Sequence, residues 1–160
     1  MSFEDKRDNL SISYPASWQR IGSSDPEVAL VSGTAEASLL MRTTRLGTKV
    51  GPESLDSAKK LTDGLVMKGE QVKQLRPPRR IDNLGGLPGW LYIYSFQEAA
   101  TGQRGAHAHY FLFRGETLIT LVFQTVPSER FATYAQLFDR LASTFKAKSS
   151  KDGSSREDTA

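Results

Sequence analysis

An α+β domain, with a mostly antiparallel sheet between helices, follows from three features of this sequence. Short segments alternate apolar and polar residues and are joined by hairpin-length turns, which forces antiparallel neighbours. Two longer segments, 54–69 and 128–145, change to helical spacing. Two strands, 90–97 and 117–126, are apolar on both faces, so the sheet needs cover on both sides. The predicted architecture is a three-layer α/β/α sandwich.

A chain of 160 residues lies in the single-domain range, and folding at this size buries roughly 70% of the unfolded surface, enough for one core. The domain is expected to span residues 1–147, with 1–8 a flexible N-terminus. Residues 148–160 are Lys- and Ser-rich and almost without apolar side chains, which predicts a disordered polar tail. The absence of cysteine removes disulfides, thiolate metal sites and Cys nucleophiles together. Lys and Arg number 21 against 18 Asp and Glu, and the two signs are interspersed, a balance too mild to indicate nucleic acid. No segment approaches the roughly 18 apolar residues of a membrane span, and the first eight residues carry no apolar signal core. The chain as written therefore reads as soluble, with its compartment open between cytoplasm and, if a leader precedes it, the cell envelope.

Taken in order, Leu10, Ile12 and Tyr14 alternate with Ser11 and Ser13 as a half-buried strand that Pro15 ends. Trp18, directly after that turn, reads as a ring plugging one end of the core. Residues 28–31 and 37–46 are the next strands, on either side of a polar turn. In 54–69, Leu55, Ala58, Leu61 and Leu65 recur at helical spacing opposite Lys59, Lys60 and Asp63, with Pro52 suiting the start and Gly69 the stop. Residues 71–75 and 79–81 are extended, and Pro77-Pro78 between them marks an edge strand or bulge. Residues 83–89 form a Gly-rich turn that launches strand 90–97, where Trp90, Tyr92, Tyr94 and Phe96 share one face and Leu91 and Ile93 the other. Strands 106–114 and 117–126 are joined by a tight hairpin at Arg114-Gly115-Glu116. Ser128 is the expected N-cap of the last helix, whose apolar stripe is Phe131, Ala135, Phe138, Leu141, Ala142 and Phe145.

In this order the segments resemble the PsbP/Mog1-like family: the photosystem II PsbP proteins, the Ran-binding Mog1 proteins and their bacterial relatives. The matching pieces are the strand entering Tyr14-Pro15-Ala16-Ser17-Trp18, the helix 54–69, and Gly85-Gly86-Leu87-Pro88-Gly89-Trp90-Leu91-Tyr92-Ile93-Tyr94. To these are added 115–126 with the following Pro127-Ser128-Glu129-Arg130-Phe131, and the closing Ser143-Thr144-Phe145. The resemblance covers about residues 8–147 and implies an α/β/α sandwich on an antiparallel sheet. It also implies a non-catalytic accessory role, docking on other proteins; bacterial relatives include envelope lipoproteins and chaperones for secreted toxins. No counterpart of the acidic Ran-contacting surface is identifiable, so no Ran site is carried over.

Residue by residue, chemistry is sparse. His107 and His109 stand two apart on a strand, which puts both rings on one face where they are weak candidates to share a metal. A third ligand is required, and candidates such as Glu98 lie across a predicted hairpin whose register the sequence does not set. There is no nucleophile elbow, and Gly85-Gly86 lacks the Lys and the following helix of a phosphate loop. No cofactor and no catalytic residue is assigned. The sharper cluster is basic: Lys73, Arg76, Arg79 and Arg80 surround Pro77-Pro78 on an edge that the prolines keep from extending the sheet, so these cations are free to meet an acidic protein. Cationic edges also serve simply to block aggregation. The sequence thus predicts a non-enzymatic protein-binding or accessory domain. The alternative is a carrier of a small apolar ligand, if Trp90, Tyr92, Tyr94 and Phe96 face a cavity; a third reading is a hydrolase or metal enzyme at the two histidines.

Overall fold

The computed structural model describes residues 1–148; the expected polar tail falls almost wholly outside the described residues. In chain order the elements are β1 (Ser2–Asp5), β2 (Leu10–Ser13), β3 (Gln19–Arg20), β4 (Val28–Gly33), β5 (Ala37–Val50), α1 (Leu55–Met67), β6 (Lys73–Leu84), β7 (Leu87–Gln97), β8 (Arg104–Thr125), α2 (Phe131–Ser143) and β9 (Lys146–Ala147). The main sheet runs β3-β4-β5-β8-β7-β6 with every pairing antiparallel, and a small sheet runs β1-β2-β9.

The 22 residues of β8 span about 70 Å if straight, at about 3.3 Å each. His107 Nε2 nevertheless lies 2.9 Å from Gln124 Oε1. The ribbon folds back at Gly115, which has φ +61, so its first half pairs with β7 and its second half with β5. This is the hairpin that the Arg114-Gly115-Glu116 signal predicts.

Adjacent residues of β7 then define the layers. Trp90, Tyr92 and Tyr94 pack with Phe111, Phe113, Leu118, Leu55 and Val66 beneath α1. Leu91 joins Ile119, Leu121 and Phe123 with Phe138, Leu141 and Phe145 of the α2 side, where Leu10, Ile12 and Trp18 also pack. Period-2 alternation makes these two clusters opposite faces of one sheet, with a helix on each. Each fully buried Phe, Leu or Ile contributes about 1.5–3 kcal/mol relative to exposure.

Four local expectations are corrected. The first residues are not free: β1 pairs along β2, and Tyr14 N donates to Met1 O at 2.9 Å. Their polar composition hid this because only Phe3 packs against the core. In α1 the inward face is Leu55, Thr62 and Val66, with Ala58 and Leu65 beside them, whereas Leu61 sits about 100° away and is exposed. Ser128 opens a 3₁₀ turn (Ser128–Arg130) and caps nothing through its side chain; Arg130 N donates to Pro127 O at 3.1 Å instead. Gly89 belongs to β7 and not to the turn, which is confined to Gly85-Gly86. Gly85, at φ +62, lies so close to the Phe145 backbone that a Cβ there has no room.

Candidate functional site

The four cations selected from sequence all lie on β6, at the sheet edge, and all are exposed. Strict alternation would place Lys73 with Arg79 and Arg76 with Arg80. Register shifts between Gln74 and Arg76 and again between Arg76 and Arg79, around Pro77-Pro78, change that outcome. Lys73 now pairs with Ser95, Arg76 with Ile93 and Arg79 with Leu91, so these three share the α2 face. Arg80 pairs with Trp90 and turns to the α1 face. There it contacts Asp56 Oδ1 at 3.0 Å, Asp82 Oδ1 at 3.2 Å and the Pro52 carbonyl. Among the described residues, Lys73, Arg76 and Arg79 form no ion pair.

Arg76 and Arg79 form one lip of a groove of about 700 Å³ between β6 and α2. Leu91, Ile93 and Tyr110 make its floor, and Asp139, Ala142 and Ser143 of α2 its other lip. The groove exists because α2 sits over β8, leaving the β7 and β6 side of that face open. Tyr110 as a residue is almost completely buried, but its hydroxyl oxygen is not among the enclosed atoms left without a partner, and Tyr110 is one of the residues lining the groove. Burial first, then the Asp139 charge, push its pKa up to about 12 against the opposing pull of Arg79, so it stays a neutral phenol and a donor. Nothing in the sequence singles out Tyr110, since a Tyr in an apolar strand reads as core.

The histidine pair is brought together as the i, i+2 spacing predicts, but around a tyrosine. Tyr94 Oη lies 2.8 Å from Nδ1 of both His107 and His109. Gln124 Oε1 accepts from His107 Nε2, so neutral His107 presents a lone pair at Nδ1 to the Tyr94 proton. The Tyr94 oxygen then accepts from His109 Nδ1–H, which leaves His109 Nε2 a bare acceptor, enclosed and without a partner. His109 stacks on Phe111 at 4.0 Å and His107 against Phe96 at 4.3 Å. Burial holds His107 down to about 4 and His109 well below 6.5, the latter also through His107. Glu98 is engaged elsewhere, accepting from Thr101 N and Oγ1. Among the described residues no three His, Asp or Glu side chains gather as a metal would require. The arrangement ties β7 to the β8 hairpin.

On the α1 face Trp90 Nε1 donates to Leu55 O at 2.9 Å, and Tyr92 Oη bonds Thr62 Oγ1 at 2.7 Å and Asp63. Those rings are packed under a helix, so the cavity that the carrier reading places there is filled. No helix among the described residues is long and apolar enough to cross a membrane.

No protein-family model and no curated protein sequence matches the chain. Solved structures do. A cyanobacterial PsbP from Synechocystis sp. PCC 6803 superposes with a TM-score of 0.63 at 16% identity over 92% of each chain. LpqN of Mycobacterium tuberculosis, described as involved in cell envelope biogenesis, gives 0.61 at 12% identity over 86% of this chain and 82% of its own. The Ran-binding protein Mog1p of Saccharomyces cerevisiae gives 0.59 at 9% identity over 92% and 94%. At such identities the likeness is one of fold, and the fold of this chain is that of the PsbP and Mog1 proteins.

Proposed function

We propose that this chain is a non-catalytic accessory domain that holds an acidic protein surface along the β6 edge. The observation that carries the reading is the sorting of the four cations. Arg80 is neutralised by Asp56 and Asp82, whereas Lys73, Arg76 and Arg79 are aligned on one face with no internal partner among the described residues. Cations that merely blocked edge aggregation would need no common face. Pro77 and Pro78 remove backbone donors from the same edge, so recognition there relies on side chains. The fold neighbours support a binding role: one is described as Ran-binding and another as involved in cell envelope biogenesis. An envelope-associated partner is the form of this reading that the Mycobacterium tuberculosis neighbour favours.

The test is capture on the immobilised chain, compared across variants. Proteins retained by the native chain and by Arg80→Ala, but lost on Arg76→Glu plus Arg79→Glu, establish the face. Identical capture by all three removes it. Rim charges act mainly on encounter, so retention is also expected to fall steeply with salt.

A further inference from the structure

The groove beside Arg76 and Arg79 has a chemistry that the charged lip alone does not need. Its floor is aliphatic at Leu91 and Ile93, with Tyr110 beside them as a neutral phenol able to donate. Its lining carries both signs: Arg76 and Arg79 on β6, with Arg80 (its guanidinium held by Asp56 and Asp82) and Asn83 next to them, and Asp139 on α2. The volume of about 700 Å³ lies within the roughly 300–1,000 Å³ of small-ligand sites, which are mostly apolar with a few convergent polar groups.

From these features we infer that the groove binds a small amphipathic anion, an aliphatic chain ending in one carboxylate. The chain lies on Leu91 and Ile93, and the carboxylate meets Arg76 and Arg79 and accepts from Tyr110 Oη. Asp139 repels an anion from the α2 lip and so fixes which way the ligand points. An extended peptide fits less well. Each of its residues carries an N–H and a carbonyl, and the floor offers one hydroxyl to satisfy them, whereas a hydrocarbon chain asks for none. The site shares two arginines with the proposed docking edge but does not depend on a protein partner existing.

The inference is tested by calorimetric titration of the full chain with decanoate below its micelle concentration, set against butyrate, decyltrimethylammonium and hexaglutamate. Decanoate is expected to bind at one site, at least tenfold tighter than butyrate, with no saturable binding of the cation. Tyr110→Phe and, separately, Arg76→Gln plus Arg79→Gln should each weaken decanoate about tenfold. Ser143→Trp, at an exposed lip position, should abolish it while circular dichroism and thermal midpoint stay native. Leu91 and Ile93 methyl resonances should shift on titration. Butyrate binding as well as decanoate, decanoate binding unchanged in Ser143→Trp, or hexaglutamate binding in place of decanoate overturns the site. In the last case the rim is a charge surface only, the outcome expected if the docking reading stands without this one.

Discussion

Tyr92 Oη and Thr62 Oγ1 lie 2.7 Å apart, both fully buried, and join the middle of α1 to the central strand β7. The Tyr92 hydroxyl donates to Asp63, so the single Thr62 proton is shared between Tyr92 Oη and Lys59 O, the latter 3.0 Å away. A polar contact in an apolar interface is stabilising only because each member is satisfied.

Removing the hydroxyl should therefore cost more than removing the threonine. Tyr92→Phe takes a donor from Asp63 and one of two acceptors from Thr62, whose proton keeps the Lys59 carbonyl, and a loss of about 1–3 kcal/mol is expected. Thr62→Val leaves Tyr92 its Asp63 partner and should cost less. Urea unfolding at pH 7 ranks the two, with the thermal midpoint moving about 2–4 °C per kcal/mol for a chain of this size. Equal costs would show that the Asp63 bond contributes nothing.

The cationic edge predicts a second asymmetry, this time small. Arg80→Ala breaks two exposed ion pairs, whose side chains are 41% to 90% exposed, and should destabilise by no more than about 1 kcal/mol. Arg76→Ala and Arg79→Ala break no ion pair and should stay within about 0.5 kcal/mol of native. Such variants remain folded reagents for the binding tests. A large loss from Arg79→Ala would instead mean that its stem packs on Leu91 as part of the core.

How far these features were legible in the sequence depended on whether local pattern decides them. The β8 hairpin and the two-faced strands were legible because Gly115 and strict period-2 alternation are local signals. The separation of Arg80 from Lys73, Arg76 and Arg79 was not, because each bulge adds a residue and turns the rest of the strand to the other face. Pro77-Pro78 signalled a bulge but not how many. The groove was invisible for a different reason: it is the space α2 leaves uncovered, which depends on where a helix docks rather than on any residue in the floor. Likewise β1 owes its order to pairing with β2 and not to its own composition.

Gly89 offers a test of how tightly β7 and β8 approach. A Cβ at this position collides with the Phe111 backbone carbonyl, an atom held in the ladder that cannot swing aside. Gly89→Ala is expected to lose about 3 kcal/mol or more, whereas Gly22→Ala, where a Cβ meets nothing within 4 Å, should be close to neutral. Chemical denaturation of the pair decides it. Near-neutral behaviour of both would mean the two strands separate easily at that point.

The histidine pair predicts how stability depends on pH. In the unfolded chain both imidazoles take a proton near the ordinary 6.5. In the folded chain His107 resists until about 4, and His109 is also held well below 6.5, because burial among Tyr94, Phe96 and Phe111 disfavours the cation. Between those values the unfolded state binds more protons, so stability rises with pH. It should be complete above about 6.5 and fall toward pH 4 by at most about 1.4 kcal/mol per pH unit for each histidine. At pH 5.5 and above, Asp63 and Glu36 do not confuse the reading: both are held below their ordinary 3.8 and 4.5, so what they contribute is lost only from about pH 5 downward. Urea midpoints at pH 7.5, 6.5 and 5.5 should therefore decline in the native chain. His109→Phe, which keeps an aromatic ring on Phe111 and removes one titrating group with its unpartnered nitrogen, should roughly halve the decline. Tyr94→Phe should instead cost stability at every pH, since it strips a partner from both Nδ1 atoms. A native midpoint that is flat from pH 7.5 to 5.5 would show that the two rings are already solvated and not enclosed around Tyr94.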